Sequence, residues 1–201
     1  AVRRCREQGL EGAVLALVAV LFFLAGAALT AIYATQRDAD GFFTTPTELF
    51  DTSTFAITSP KIDLGAKPGS NDRVPDLGGL ATIRIESRPA TEGSVFVGIG
   101  AEEDVENYLD GVAHAEISDV DVAPFSVSYD FERGDDKHPG RPSDQDFWAA
   151  STEGSDTKEL EWELESGNWS VVMMNADASA GVSVDASVGA KADWVLPVGI
   201  G

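Results

Sequence analysis

From residue 36 to residue 193 apolar and polar positions alternate with period two in one short run after another, with turn residues between the runs. Phe55 and Ile57 alternate with Ala56 and Thr58; Ala81, Ile83 and Ile85 alternate with Thr82, Arg84 and Glu86. Val95, Val97 and Ile99 share one face, with Phe96 and Gly98 opposite. Ala113, Ala115 and Ile117 alternate with His114, Glu116 and Ser118, and Phe125, Val127, Tyr129 and Phe131 with Ser126, Ser128, Asp130 and Glu132. Leu160, Trp162 and Leu164 stand between glutamates, a half-buried strand. Residues 169–174 are apolar on both faces and predict a central strand, and Val182, Val184, Ala186 and Val188 repeat the alternation. The prediction is an all-β antiparallel sandwich of about eight strands with one short helix.

That helix begins at Ala101. Glu102, Glu103 and Asp104 place acids in a first turn, Val105, Tyr108 and Leu109 fall at i, i+3, i+4, and Gly111 stops it. It is expected to plug one end of the sandwich. Residues 65–79 and 134–146, rich in Gly, Pro and Asp, read as loops. Ile83, Val97, Val127, Tyr129, Leu160, Trp162, Trp169 and Val184 are the expected core.

A different pattern precedes the strands. Residues 13–34 carry no charge over 22 positions, and a bilayer core needs about 20 apolar residues at the helical rise. Within lipid only a helix satisfies its own backbone, so a transmembrane helix over 13–35 is expected. Arg3, Arg4 and Arg6 precede it, which sets the N-terminus in the cytoplasm and the rest outside. The alternative is a cleaved signal peptide ending at Ile32-Tyr33-Ala34, which the length of the apolar core disfavours. Residues 194–201, apolar and opening on Trp194, read as the start of a second span or as a short apolar tail. The chain thus divides into a cytoplasmic stub (1–12), a transmembrane helix (13–35), a juxtamembrane linker (36–49), an extracytoplasmic sandwich (50–190) and the start of a second membrane segment (191–201).

Charge narrows the partners. The 201 residues carry 34 acids and 14 bases, a net of −20. Beyond Thr35 the balance is 32 acids to 11 bases, and only five lysines occur in the chain. Such a surface repels nucleic acid and anionic headgroups, so nucleic-acid binding is excluded, and it attracts cations or basic partners. Cys5 is the only cysteine and precedes the apolar segment, so the outer domain forms no disulfide of its own.

Candidate chemistry is thin. His114 and His138 are the only histidines and there is no cysteine outside, too few ligands for zinc. Asp135, Asp136, Asp144 and Asp146 lack the calcium-loop pattern and read as a solvated loop. The tripeptide Arg133-Gly134-Asp135 and the sequon Asn168-Trp169-Ser170 carry no weight alone. Trp148 is the one tryptophan of the domain with no core-facing assignment, and so the one candidate for stacking on sugars. No nucleophile motif or phosphate loop accompanies the serines. No catalytic, cofactor-binding or metal-ligating residue is assigned, and no cofactor is expected.

Several strings together resemble uncharacterised actinobacterial membrane proteins in which two membrane helices flank an extracytoplasmic domain. They include Gly41-Phe42-Phe43-Thr44, residues 95–100, residues 105–114, Phe147-Trp148-Ala149-Ala150-Ser151, residues 167–177 and Val188-Gly189-Ala190. The resemblance implies a second span beginning near Trp194 and carries no activity. The expected function is a membrane-anchored, non-enzymatic binding or sensing domain with a protein partner in the envelope. The alternatives are a carbohydrate-binding or carbohydrate-active envelope protein and a structural envelope component.

The charge count generates a prediction. At about 0.15 M salt the Debye length is about 8 Å, so repulsion among the domain's carboxylates is only partly screened; at about 1 M it is about 3 Å. Thermal stability should rise with sodium chloride across this range and rise equally with a weakly stabilising salt of the same ionic strength. A saturable rise in melting temperature with millimolar calcium alone would instead reveal a cation site in the 135–146 loop.

Overall fold

The computed structural model describes residues 38, 40–64, 79, 81–122, 125–135 and 137–192. The apolar segment at 13–34, the residues after 192 and most of the 65–79 loop lie outside these. Among the described residues no helix is long and apolar enough to cross a membrane.

Among the described residues twelve strands form two sheets. The smaller holds β5 (Ala81–Pro89) between β10 (Lys158–Glu163) and β12 (Val182–Ala192). Along the far side of β12 lie β1 (Phe43–Thr44) and β2 (Glu48–Thr52), end to end. The larger sheet runs β8 (Phe125–Glu132), β7 (His114–Val122), β3 (Ala56–Thr58), β11 (Asn168–Asn175), β6 (Val95–Ala101) and β9 (Trp148–Gly154). There β4 (Ile62–Asp63) follows β3 along β11. The smaller sheet is therefore four strands wide and the larger six.

The all-β, two-sheet prediction holds, with differences that have physical reasons. The pairing is not wholly antiparallel: β3 and β7 run parallel, Ala56 opposite His114. The chain reaches β7 through the helix and not through a hairpin, and such a crossover delivers a parallel neighbour. The strands not foreseen are β1, β2, β4 and β9. Two of them have only two residues, and β9, Trp-Ala-Ala-Ser-Thr-Glu-Gly, has too little apolar contrast to show its period. Residues 38–49, read as a linker, belong partly to the domain. Phe42 is buried, and β1 pairs Phe43 with Ala190 and Thr44 with Gly189.

The main core lies between the sheets. Ile83, Ile85, Leu160, Trp162, Val182 and Val184 of the smaller sheet meet Ile57, Val97, Ile99 and Met173 of the larger. Of the eight expected core residues, Ile83, Val97, Leu160, Trp162 and Val184 are buried, whereas Val127, Tyr129 and Trp169 are half-buried. Trp169 stands edge-on to Trp162 at 4.9 Å and donates its Nε1–H to Glu165 O at 2.8 Å. Val127 and Tyr129 lie on β8, the outermost strand, where the narrower sheet no longer covers them fully.

A second core lies on the outer face of the larger sheet. Helix α1 (Glu102–Leu109) sets Val105 and Leu109 against Val172, Met174 and Ala56. The helix covers a face and does not plug an end. Because β11 is covered on both faces, its run of Trp-Ser-Val-Val-Met-Met shows no alternation, as the sequence predicts for a central strand. Truncating Leu160, 3% exposed, should cost about 2–5 kcal/mol as large-to-small core changes do, measured by urea unfolding. Val127→Ala, at a half-covered position, should cost clearly less; equal losses would contradict the overhang of the larger sheet.

Candidate functional site

The outer face of the larger sheet carries the most chemistry. Here α1, β7, Ser170 of β11 and the chain from Thr58 to Lys61 surround a shallow groove of about 150 Å³. Each element arrives for a local reason. Glu102, Glu103 and Asp104 stand in the first turn of α1, where carboxylates oppose the positive end of the helix dipole. The helix gives way to a turn at Asp110 and Gly111 and leads into β7. Alternation along β7 then sends Ala115 into the domain and leaves His114 and Glu116 on the groove side.

The loop at 134–147 packs through its backbone and prolines, while its carboxylates Asp135, Asp144 and Asp146 stay exposed. Asp135 N donates to Gly111 O at 2.9 Å, and Lys137 Nζ to Asp110 O at 2.6 Å. Tyr108 Oη donates to Gly140 O at 2.6 Å, and burial pushes its pKa up to about 12. Pro139 and Pro142 are buried, and His138 stands edge-on to Phe55 at 5.0 Å. The Arg133-Gly134-Asp135 tripeptide has a packing explanation: a Cβ on Gly134 would fall 2.3 Å from Ala113 N, so only glycine lets the loop cross there.

Trp148 is likewise engaged. Its ring lies 4.3 Å from Phe147 and 5.1 Å from Phe96, and its Nε1–H donates to Pro142 O at 2.8 Å. Gly98 makes room for it, since a Cβ there would come within 2.7 Å of both the Phe96 and Trp148 rings. An indole held this way is a packing residue, which removes the basis for sugar stacking at this position.

Within the groove Lys61 Nζ pairs with Glu102 at 2.7 Å, and that hydrogen bond raises the lysine's pKa against the opposing effect of desolvation. His114 Nδ1 donates to Val112 O at 2.9 Å, which turns Nε2 away from that carbonyl. Glu116 stands opposite Asp130, and His114 opposite Glu132, across β7 and β8. Partial burial raises the Glu116 pKa; His114 opposes that, and Asp130, Glu132 and Glu102 add to it. Thr58 and Ser170, both buried, line the floor. Ser59 Oγ donates to Pro60 O at 3.0 Å and accepts from Val171 N at 2.9 Å, a backbone-bracing role.

The groove is therefore an anionic recess holding one ion-paired lysine. Among the described residues no three His, Cys, Asp or Glu side chains converge as a metal-ligating group. The sequence singled out His114 and the 135–146 carboxylates separately. It missed Lys61, Glu102 and Glu116, whose signal was present only as polar positions beside apolar ones. Which elements would converge depended on the parallel β3–β7 pairing. No protein-family profile, curated protein or solved structure matches this chain.

The Glu116 environment fixes a pH dependence. Its folded-state pKa lies above the ordinary 4.5, so the folded protein holds this proton more tightly than the unfolded chain, and this residue's contribution to stability falls as pH rises through the carboxylate range. Glu116→Gln should raise the melting temperature at neutral pH, and the gain should shrink as pH falls below 4.5, where the native side chain is protonated in both states. A pH-independent gain would assign the effect to packing.

Proposed function

We propose that the chain is a membrane-anchored, non-enzymatic binding or sensing domain displayed on the extracytoplasmic side. The observation that carries this reading is the position of the two ends of the domain. The chain enters through β1 and leaves through β12, and these are antiparallel neighbours, with Phe43 opposite Ala190. Both ends of the folded unit therefore emerge together, and the apolar stretches at 13–34 and 194–200 lie just beyond them in sequence.

The entry is clasped to the sheet. Arg84 on β5 pairs with Asp38 at 3.0 Å, Asp40 at 3.4 Å and Glu161 at 2.7 Å. Its guanidinium stands 3.9 Å from the centre of the Phe42 ring, a cation–π contact. Lys191, beside the exit, stands over the same ring at 5.0 Å. These contacts hold the tether in a defined place against the domain. At the opposite end of the smaller sheet, Pro89 pairs with Val184 and Lys158 with Ser87, so the turns after β5 and before β10 face away from the tether. In this reading they point outward from the membrane.

The binding side of the proposal rests on the anionic outer face, which suits a basic partner better than a polysaccharide. For the carbohydrate alternative, the contacts of Trp148 with Phe147, Phe96 and Pro142 O favour a packing role over a sugar platform. In intact cells expressing the full chain, a membrane-impermeant maleimide should label the thiol of Ser155→Cys, in the exposed turn before β10. Cys5 should be labelled only after permeabilisation. Labelling of Cys5 in intact cells with protection of the S155C thiol would overturn the orientation.

A further inference from the structure

Among the described residues the unequal widths of the two sheets leave one edge open. The larger sheet is six strands wide and the smaller four, so β7 and β8 reach past the cover of the smaller sheet. At the other side of the sandwich the edge strands β9 and β10 are consecutive in the chain and pack against one another, which closes that side. At the near side of the smaller sheet β2 has only five residues and packs against β3. β8 has eight residues, and among the described residues it pairs with β7 alone. The irregularity in that ladder falls on β7, between Ile117 and Asp119, while Tyr129 and Ser128 of β8 follow without a break. A long strand edge with unpaired backbone groups is a template for another strand unless it is bulged, covered or shortened.

The side chains of β8 specify what that strand would be. Along the inner face Phe125, which packs edge-on against Phe50 at 5.7 Å, Val127 and Tyr129 are half-buried, and only Phe131, at the C-terminal end, is exposed, at 61%. The Phe131 ring lies 6.2 Å from Tyr129, so the two form one apolar shelf at the sheet margin. On the outer face Ser126, Ser128, Asp130 and Glu132 are exposed. Residues 114–132 hold five acids and no lysine or arginine. Glu116 and Asp130 stand directly opposite each other, an arrangement of like charges that an isolated strand pair disfavours.

We propose that the free edge of β8 takes up an extended basic segment of a protein partner as an added strand. The alternation of such a segment fits both faces at once. Its apolar residues extend the inner face and cover Tyr129 and Phe131, while its Lys or Arg residues stand beside Asp130 and Glu132 on the outer face. Backbone hydrogen bonds to the edge supply affinity, and the carboxylates set the sign of the partner's charge. A second copy of the chain is a poor occupant, because it would bring the same carboxylates and a second net charge of −20 to the joint. The inference rests on the reading of the domain as a binding module and names the partner's chemistry.

The test uses the purified full chain in zwitterionic nanodiscs and a fluorescent peptide of alternating valine and lysine, followed by anisotropy at fixed ionic strength. Two control peptides have the same charge: one with its lysines and valines in separate blocks, one with central prolines that cannot add to an edge. The alternating peptide should bind saturably and more tightly than either control. Phe131→Ser should weaken it at least about fivefold, as loss of an apolar anchor does, and the pair Asp130→Lys with Glu132→Lys at least about tenfold. Equal binding of the three peptides would mean attraction to net charge alone and would overturn the proposal, as would indifference to both sets of substitutions. A dimer of the full chain that Phe131→Ser dissolves would make a second copy the occupant and would also overturn it. Orientation in the membrane does not enter this measurement. A failure here with correct maleimide labelling therefore rejects the β8 site and leaves the anchored topology standing.

Discussion

The double burial of β11 is the constraint on which the rest of the domain depends. A strand apolar on both faces cannot sit in a two-layer sandwich with one face in water. Val171 and Met173 turn toward the smaller sheet, and Val172 and Met174 turn away from it. The second pair requires a third layer, and α1 with the 134–147 loop supplies it. Once the helix lies on that face, the chain returns to the sheet beside β3, and β7 enters parallel. The groove, its carboxylates and the close crossing at Gly134 all follow from that one requirement.

What could be read from the sequence tracks how far each position is determined by its nearest neighbours. The Glu-Leu-Glu-Trp-Glu run declared β10, because one face meets the core and the other meets water, and nothing tertiary interferes. β6 was legible as a strand, but Phe96 on its supposed outer face is 1% exposed, since Trp148 arrives over it from a distant segment. The same long-range contact decides Trp148 itself. Val127 and Tyr129 show as clean an alternation as any buried strand, yet whether the opposing sheet extends over them is set by sheet width, which no local pattern encodes. The candidate groove was the least legible part. Lys61, Glu102 and Glu116 come from a short strand's edge, a helix start and a strand interior, and only the topology unites them.

Electrostatics in this domain works by local exception to a general repulsion. Among the described residues most carboxylates are exposed, and their like charge keeps the molecule apart from its copies. Lys158 pairs within its own turn with Asp156, whereas three other cations join different elements. Arg84 joins β5 to β10 and to residues 38–42, Arg88 joins β5 to Asp185 of β12, and Lys61 joins the loop before β4 to α1. Each exposed pair adds little stability by itself. Their effect is positional: Arg84 ties Asp38 and Asp40 to the sheet and Lys61 ties the chain before β4 to α1, whereas the Arg84–Glu161 and Arg88–Asp185 pairs reinforce strands that the backbone already pairs.

The antiparallel contact of β1 with β12 also fixes how the domain meets mechanical load. Tension applied between the two ends does not shear long strands past one another with many hydrogen bonds loaded together. It pulls two adjacent strands apart from their open end, so the bonds of the two-residue β1 break in sequence. The Arg84 clasp and the Phe42 ring stand first in line, and the sheets behind them stay unloaded while those contacts hold. The segment entering β1 is thus a soft element in series with a stiff one. A pull on the two ends would be felt first at Asp38 and Phe42, before any change within the core.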